Sequence, residues 1–292
     1  MSKIICVVGP TGVGKTELSI ALAKKYNADI INADATQVYK EANIGTAKIT
    51  EKEKEGIKHY MLDVVDLDKE YTVMDYQRDA RKILDNLIKK DKNVIIVGGS
   101  GLYVKALLYD YKFSQEEKNT YDFSSLSNKE LKDKVDTIYK DNQIHVNNRK
   151  RLERFLSHYY NTGNIIKNNK NKDKMIYNAI IIGLTTDRNE LNKHLEERVH
   201  NMLFNGLVIE ALYLNKYPKV KTFIGYKEII DYKNGITDLN EAIKEITRRT
   251  KLYAKRQYTW FNNQFDNITW FNVDYNNFDK TKKEVIDYLE NL

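Results

Sequence analysis

Gly9-Pro10-Thr11-Gly12-Val13-Gly14-Lys15-Thr16 fits the pattern G-x-x-x-x-G-K-[ST]. This is the spacing with which a backbone wraps a phosphate. Glycine admits positive φ and lets the main chain approach an anion closely. The N–H groups of such a loop point inward, and the helix that follows adds partial positive charge at its N-terminus. Lys15 would bring a full charge to the terminal phosphate, and the Thr16 hydroxyl suits Mg²⁺. Gly9, Thr11, Gly12, Gly14, Lys15 and Thr16 are therefore the candidate phosphate-binding residues. The loop specifies a phosphate-bearing ligand without saying which one.

Asp34 closes the run ADIINAD, where a strand is expected to end. In open α/β sheets that carboxyl edge lines the ligand crevice, and a carboxylate there can take a metal or accept a proton from a nucleophile. An ordinary turn or capping aspartate is the competing reading. Gly98-Gly99-Ser100-Gly101 ends another strand and could bring Ser100 into the same crevice; taken alone it reads as a plain strand-to-helix turn. No strand ends in the apolar-apolar-Asp pattern with a following switch glycine, which disfavours a motor or a switch GTPase.

Two basic elements follow. Arg151 and Arg154 stand three apart on the helix expected over residues 147–160, a spacing suited to an oxyanion clamp or to a solvated face. Residues 240–261 read NEAIKEITRRTKLYAKRQYTWF, and Lys244, Arg248, Lys251 and Lys255 recur at spacings of four, three and four. Ile243, Ile246, Tyr253 and Trp260 can turn to the core. A basic stripe with aromatics beside it is a way of holding a phosphate backbone.

The elements that must position these groups follow from periodicity. KIICVVG (3–9), ADIIN (28–32), VIIV (94–97) and AIIIGL (179–184) are short apolar runs typical of buried parallel strands. Residues 15–25, 71–90 and 188–203 carry apolar residues at helical spacing; in the second, Met74, Ala80, Ile83, Leu84, Leu87 and Ile88 form the stripe. Alternating strands and helices predict an α/β fold of P-loop NTPase-like, three-layer α/β/α type with a mostly parallel sheet. Residues 114–141 break the rhythm. They read as a helical insertion, with Leu131, Val135, Ile138 and Tyr139 on one stripe of a helix over 128–139. The expected division is a core over 1–112, an insertion over 113–143, and the rest of the core over 144–292. KNNKNKDK (167–174) reads as a solvated loop.

Composition sets the outer bounds. The 292 residues carry 48 Lys+Arg against 41 Asp+Glu, a net charge of +7, and 41% hydrophobic residues. That is ample for a core and leaves a polyanionic partner plausible. No run approaches the ~20 apolar residues of a membrane span. Cys6 is the single cysteine, so neither an intrachain disulfide nor a cysteine zinc cage can form. Met1-Ser2-Lys3 followed at once by an apolar run lacks the layout of a signal peptide, so a cytoplasmic setting is expected.

Taken in order, the motifs resemble the tRNA dimethylallyltransferases over nearly the whole chain. GPTGVGKT (9–16) is followed by DATQVYK (34–40), IGTAK (44–48), HYMLDV (59–64) and VGGSGLYVKALL (97–108). IHVNNRKRLER (144–154), IGYKE (224–228) and YAKRQYTWF (253–261) complete the series. The departures are Ala35 for a serine, Ser100 for a threonine, Val146 and Asn148 for a proline and an aspartate, and Thr222 or Phe223 where a glutamine is usual.

The resemblance implies that the loop holds the diphosphate of dimethylallyl diphosphate. It implies transfer of the dimethylallyl group to the exocyclic N6 of the adenosine 3′ to the anticodon. Asp34 matches the base, with Ser100, Lys15, Thr16 and Mg²⁺ stabilising the leaving diphosphate; Arg151 and Arg154 join the diphosphate set. The insertion and the positions Gln37, Tyr39, Lys48, Lys244, Arg248, Lys251, Lys255 and Arg256 are the expected tRNA contacts. A monomer is expected. Two other readings share the loop: a small-molecule P-loop kinase, and a non-catalytic RNA-binding protein. The first leaves YAKRQYTWF unexplained; the second predicts that Asp34→Asn has no biological effect.

Overall fold

The structure, a computed structural model, describes residues 2–113, 121–165 and 174–292. Contacts divide the chain into a first unit, Met1–Asp110 with Met175–Leu292, and a second, Tyr111–Lys174. The first unit opens with β1 (Ile4–Val8), α1 (Lys15–Tyr26), β2 (Ala28–Asn32), the single turn α2 (Glu51–Lys54), β3 (His59–Tyr60), α3 (Val73–Lys89), β4 (Asn93–Val97) and α4 (Gly101–Leu108). The second unit holds α5 (Asn128–Ile138) and α6 (Arg149–Thr162). The first then resumes with β5 (Ala179–Thr185), α7 (Arg188–Phe204), α8 (Leu207–Leu214), a 3-10 turn at Pro218–Thr222, α9 (Tyr226–Lys233), α10 (Leu239–Gln264), β6 (Ile268–Asn272) and α11 (Phe278–Glu290).

The six strands run β3-β2-β4-β1-β5-β6, and every pairing is parallel. The expected α/β fold is the observed one. β1 is buried along its whole length because both faces are covered. Ile5 and Val7, with Ile30, Ile95 and Ile182, pack against Leu18 and Leu22 of α1 and Val285 and Leu289 of α11. Cys6 and Val8, with Ile31 and Ile96, face Ala80 and Leu84 of α3, Leu107 of α4 and Phe261 of α10. Alternate residues of one strand thus supply two cores.

Adjacent strands β1 and β4 send the chain to opposite sides: β1 continues to β2 beyond β4, and β4 eventually to β5 beyond β1. The crevice at their carboxyl ends is where open α/β sheets bind ligands. α3 is started by a capping box, with Thr72 Oγ1 accepting the Asp75 N–H and the Asp75 carboxylate accepting the Thr72 N–H. Met74, expected on its apolar stripe, is half exposed in that first turn, and Tyr76 takes the inward place.

The second unit extends further than the sequence suggested. Leu131 and Val135 of α5 share one small core with Leu152, Phe155 and Leu156 of α6. The insertion therefore runs on past residue 143 to Lys174, because α6 buries its apolar side on α5. Residues 114–120 of the expected insertion, and 167–173 of the expected loop, lie outside the described residues.

Candidate active site

The phosphate loop connects β1 to α1. Gly14 is the N-cap residue of α1 at φ 92°, in the left-handed region that a Cβ would strain. Lys15 begins the helix and folds back so that its Nζ donates to the Pro10 carbonyl at 2.6 Å. Burial pushes its ammonium down to about 7; the charge of Asp34 opposes this and that of Arg198 adds to it. A lysine held in that state gains most when an anion arrives.

Asp34 follows β2 by two residues. Its Oδ1 accepts the Thr36 N–H at 2.8 Å and the Thr36 hydroxyl at 2.7 Å, with the Gln37 N–H at 3.4 Å. Among the described residues these bonds fix one carboxylate oxygen and leave Oδ2 open. The phenols of Tyr76, Tyr103 and Tyr253 are all pushed up, by burial first and by the Asp34 charge among the further causes.

A cavity of about 1150 Å³ in the first unit joins these groups. Its lining includes Thr11, Gly12, Gly14, Lys15, Thr16, Asp34 and Gln37. Thr16 is exposed in the first turn of α1 and lines the cavity. Gly9 stands at φ 142° at the loop's start, where a Cβ would lie 2.5 Å from the Leu184 carbonyl oxygen. Among the described residues no three His, Cys, Asp or Glu side chains form a metal cage. A Mg²⁺ here would draw on the Thr16 hydroxyl and on the ligand's own oxygens, the usual sparse protein ligation of that ion.

Arg198 of α7 was not singled out from the sequence. It lines the cavity, burial pushes its guanidinium down, and the Asp34 charge counters that. It brings a second cation to the Lys15 end of the site. Its position in RNELNKHLEERVHNMLF is one basic residue among several, and only the packing of α7 sets it apart.

The remaining candidates separate. Ser100 N-caps α4; its Oγ accepts the Ala35 N–H at 2.9 Å and its own N–H donates to the Ala33 carbonyl at 3.2 Å. It brackets Asp34. Gln37 lines the cavity and donates through Nε2 to the carbonyls of Thr46 and Ala47. Tyr39 and Lys48, expected to contact tRNA, are instead buried. Lys48 Nζ donates to the Tyr39 carbonyl at 2.7 Å and to the exposed Asp63 carboxylate at 2.6 Å, so its ammonium is committed to protein partners. Arg151 and Arg154 are exposed on α6 of the second unit. On α10, Lys244, Arg248, Lys255 and Arg256 are exposed, while Lys251 pairs with Glu196 of α7 and Arg248 with Glu245.

Two of the motifs brace one another, and Ile44, Thr46, Ala47 and Lys48 of the first also line the cavity. Glu210 of α8 accepts the N–H groups of Asn43, Ile44 and Gly45, and the Tyr226 hydroxyl at 2.6 Å. Glu228 is buried, accepts the Gly225 N–H and pairs with Arg249 of α10. IGTAK and IGYKE thereby hold one another in place.

A phosphate loop with a desolvated lysine, an adjoining cation and a half-satisfied carboxylate, on a parallel sheet, defines a P-loop α/β enzyme that works on a phosphate-bearing substrate. The family model described as IPP transferase matches residues 37–264. The chain belongs to the IPP transferase family. A tRNA dimethylallyltransferase of Anoxybacillus flavithermus is 38% identical over 99% of this chain and 96% of its own length. One from Enterococcus faecalis is 39% identical over 99% and 98%. Among solved structures, a tRNA isopentenylpyrophosphate transferase of Staphylococcus epidermidis matches with TM-score 0.74 at 33% identity, covering 100% of both chains. A eukaryotic dimethylallyltransferase acting on tRNA matches with TM-score 0.83 at 27% identity, covering 100% of this chain and 80% of the other. Among the described residues no helix is long and apolar enough to cross a membrane.

Proposed function

We propose that this enzyme transfers a dimethylallyl group from dimethylallyl diphosphate to N6 of the adenosine 3′ to the anticodon of tRNA. The observation that carries the reading is the pairing of the desolvated Lys15 with the open Oδ2 of Asp34 in one cavity. The loop amides, Lys15 and Arg198 receive the diphosphate. As the C1–O bond breaks, the leaving oxygen keeps the electron pair, and these fixed cations stabilise the growing charge better than the ground state. The N6 lone pair forms the new N–C1 bond. That nitrogen is weakly nucleophilic because its lone pair is delocalised into the purine, so Asp34 takes its proton as the bond forms. Product is the N6-alkylated adenosine, diphosphate, and a proton passed to solvent.

Mg²⁺ bound at the Thr16 hydroxyl would supply further positive charge to the diphosphate oxygens. The target base must leave its stack, which costs least in an anticodon loop. The exposed Lys244, Lys255 and Arg256 of α10 are basic groups suited to the RNA backbone. A cytoplasmic setting suits an enzyme whose acceptor is tRNA. The experiment is to incubate the protein with Mg²⁺, dimethylallyl diphosphate and an anticodon stem-loop. The expected result is the mass gain of one dimethylallyl group replacing a hydrogen, abolished when guanosine replaces the target adenosine. No gain with the adenosine substrate overturns the reading.

A further inference from the structure

The diphosphate loop and the base sit on different strand ends, yet alkyl transfer needs leaving group, carbon and attacking nitrogen in line. Something must fix the distance between the two ends. Gln257 of α10 reaches across the sheet edge. Its Oε1 accepts the Thr11 N–H of the phosphate loop at 2.8 Å, and its Nε2 donates to the Gly99 carbonyl at 3.0 Å. The next residue, Ser100, holds both neighbours of Asp34: its N–H donates to the Ala33 carbonyl at 3.2 Å and its Oγ accepts the Ala35 N–H at 2.9 Å.

A continuous hydrogen-bonded chain therefore runs Thr11, Gln257, Gly99–Ser100, and then to either side of Asp34. Both ends of the Gln257 amide are used, one as acceptor and one as donor, and the side chain is 6% exposed. Gly99 is part of the fit, since a Cβ there would stand 2.2 Å from Nε2 of Gln257. Tyr253, one turn earlier on α10, lies against Ser100 and Gln257. One amide of the phosphate loop is thus spent on the protein rather than offered to the anion.

We infer that Gln257 is a positioning residue that sets the phosphate loop and the Asp34 carboxylate at the separation the in-line displacement requires. It lines the same cavity, and both polar atoms of its amide are spent on protein partners. The inference rests on the proposed prenyl transfer, and its effect belongs in the chemical step rather than in binding. A displacement of about 1 Å in such a site costs on the order of 100-fold in rate.

The test is steady-state kinetics of Gln257→Met and Gln257→Glu with dimethylallyl diphosphate and an anticodon stem-loop, beside direct binding of the stem-loop. Methionine keeps the length but loses both bonds. Glutamate keeps the acceptor for Thr11 and loses the donor to Gly99. The expected result is kcat lowered about 100-fold in both, with KM for each substrate and stem-loop Kd within about threefold of the parent. Gly99→Ala, which pushes the amide aside from the other partner, should reproduce the loss, and Gly99→Ala with Gln257→Met should be no worse than either alone. If kcat stays within twofold, or if the loss lies wholly in KM, the inference is overturned. Should either Gln257 variant be recovered unfolded, Gly99→Ala decides by the same criteria. A wild-type protein that fails to turn over would refute the proposed function instead.

Discussion

Raising the pH from 8 to 9 isolates the Lys15 ammonium. In the free enzyme burial holds its pKa at about 7, against an ordinary 10.5. A bound diphosphate supplies the counter-charge the cleft lacks, so the complex keeps the lysine protonated and binding must take up a proton. The alkyl diphosphate has finished its own last ionisation by pH 8, since phosphate esters titrate near ~6. With those values the apparent Kd scales as one plus ten to the power of pH minus about 7, and weakens about ninefold from pH 8 to pH 9. At pH 8 about 0.9 proton is taken up per diphosphate bound.

Titration calorimetry with an unreactive thio analogue of dimethylallyl diphosphate, in buffers of different ionisation enthalpy, reads both quantities at once. Lys15→Arg is the control, because a guanidinium stays charged throughout; its affinity should be pH-independent over that range, whatever its absolute value. A Kd unchanged between pH 8 and pH 9 in the wild type, with no proton uptake, would refute the claim that Lys15 is desolvated. The same depression has a stability sign. Between about 7 and 10.5 the unfolded chain binds the proton that the folded chain does not, so the apo fold gains stability as pH rises through that window, its full cost lying below pH 7.

Asp34→Asn should bind the stem-loop within about twofold of wild type and lose prenylation by about 100- to 10,000-fold, checked by mass spectrometry of the RNA beside a gel-shift titration. Lys244→Ala and Lys255→Ala should each lower the slope of log Kd against log salt for the stem-loop by roughly 0.7 to 0.9, whereas Lys48→Ala should leave the slope alone and lower the urea midpoint, because Lys48 is an interior group. Arg249→Ala strands the buried Glu228 carboxylate without its partner and should cost about 3 kcal/mol in chemical denaturation, with Arg249→Lys restoring part of it.

The phosphate loop, the strand that precedes it and the helix that follows could be read from consecutive residues, because a phosphate cradle is a local structure. The same holds for β2 and β4, whose apolar runs declare burial on both faces, and for Asp34, whose place at a strand end follows from ADIINAD alone. β6 was missed because its residues ITWFN are only partly buried at the sheet's edge and show no clear period. The reach of the insertion was misjudged because α6 looks amphipathic whichever surface it covers, and only its packing on Leu131 and Val135 says which.

The candidate site divides along the same line. Residue type and spacing picked out Lys15, Thr16 and Asp34; the family resemblance added Ser100 and also counted Tyr39 and Lys48 among the tRNA contacts, and the burial of those two speaks against that. Arg198 could not be picked from sequence, since a lone arginine on a helix carries no signal until the fold turns it inward, and Gln257 stood inside YAKRQYTWF with nothing in that run to say that its amide reaches the phosphate loop. The sequence by itself determined the chemistry available, since phosphate binding and proton abstraction depend on groups whose local context suffices. Tertiary structure alone decided the electrostatics and the alignment. Desolvation and distance are properties of the packed sheet edge, and no run of neighbouring residues encodes them.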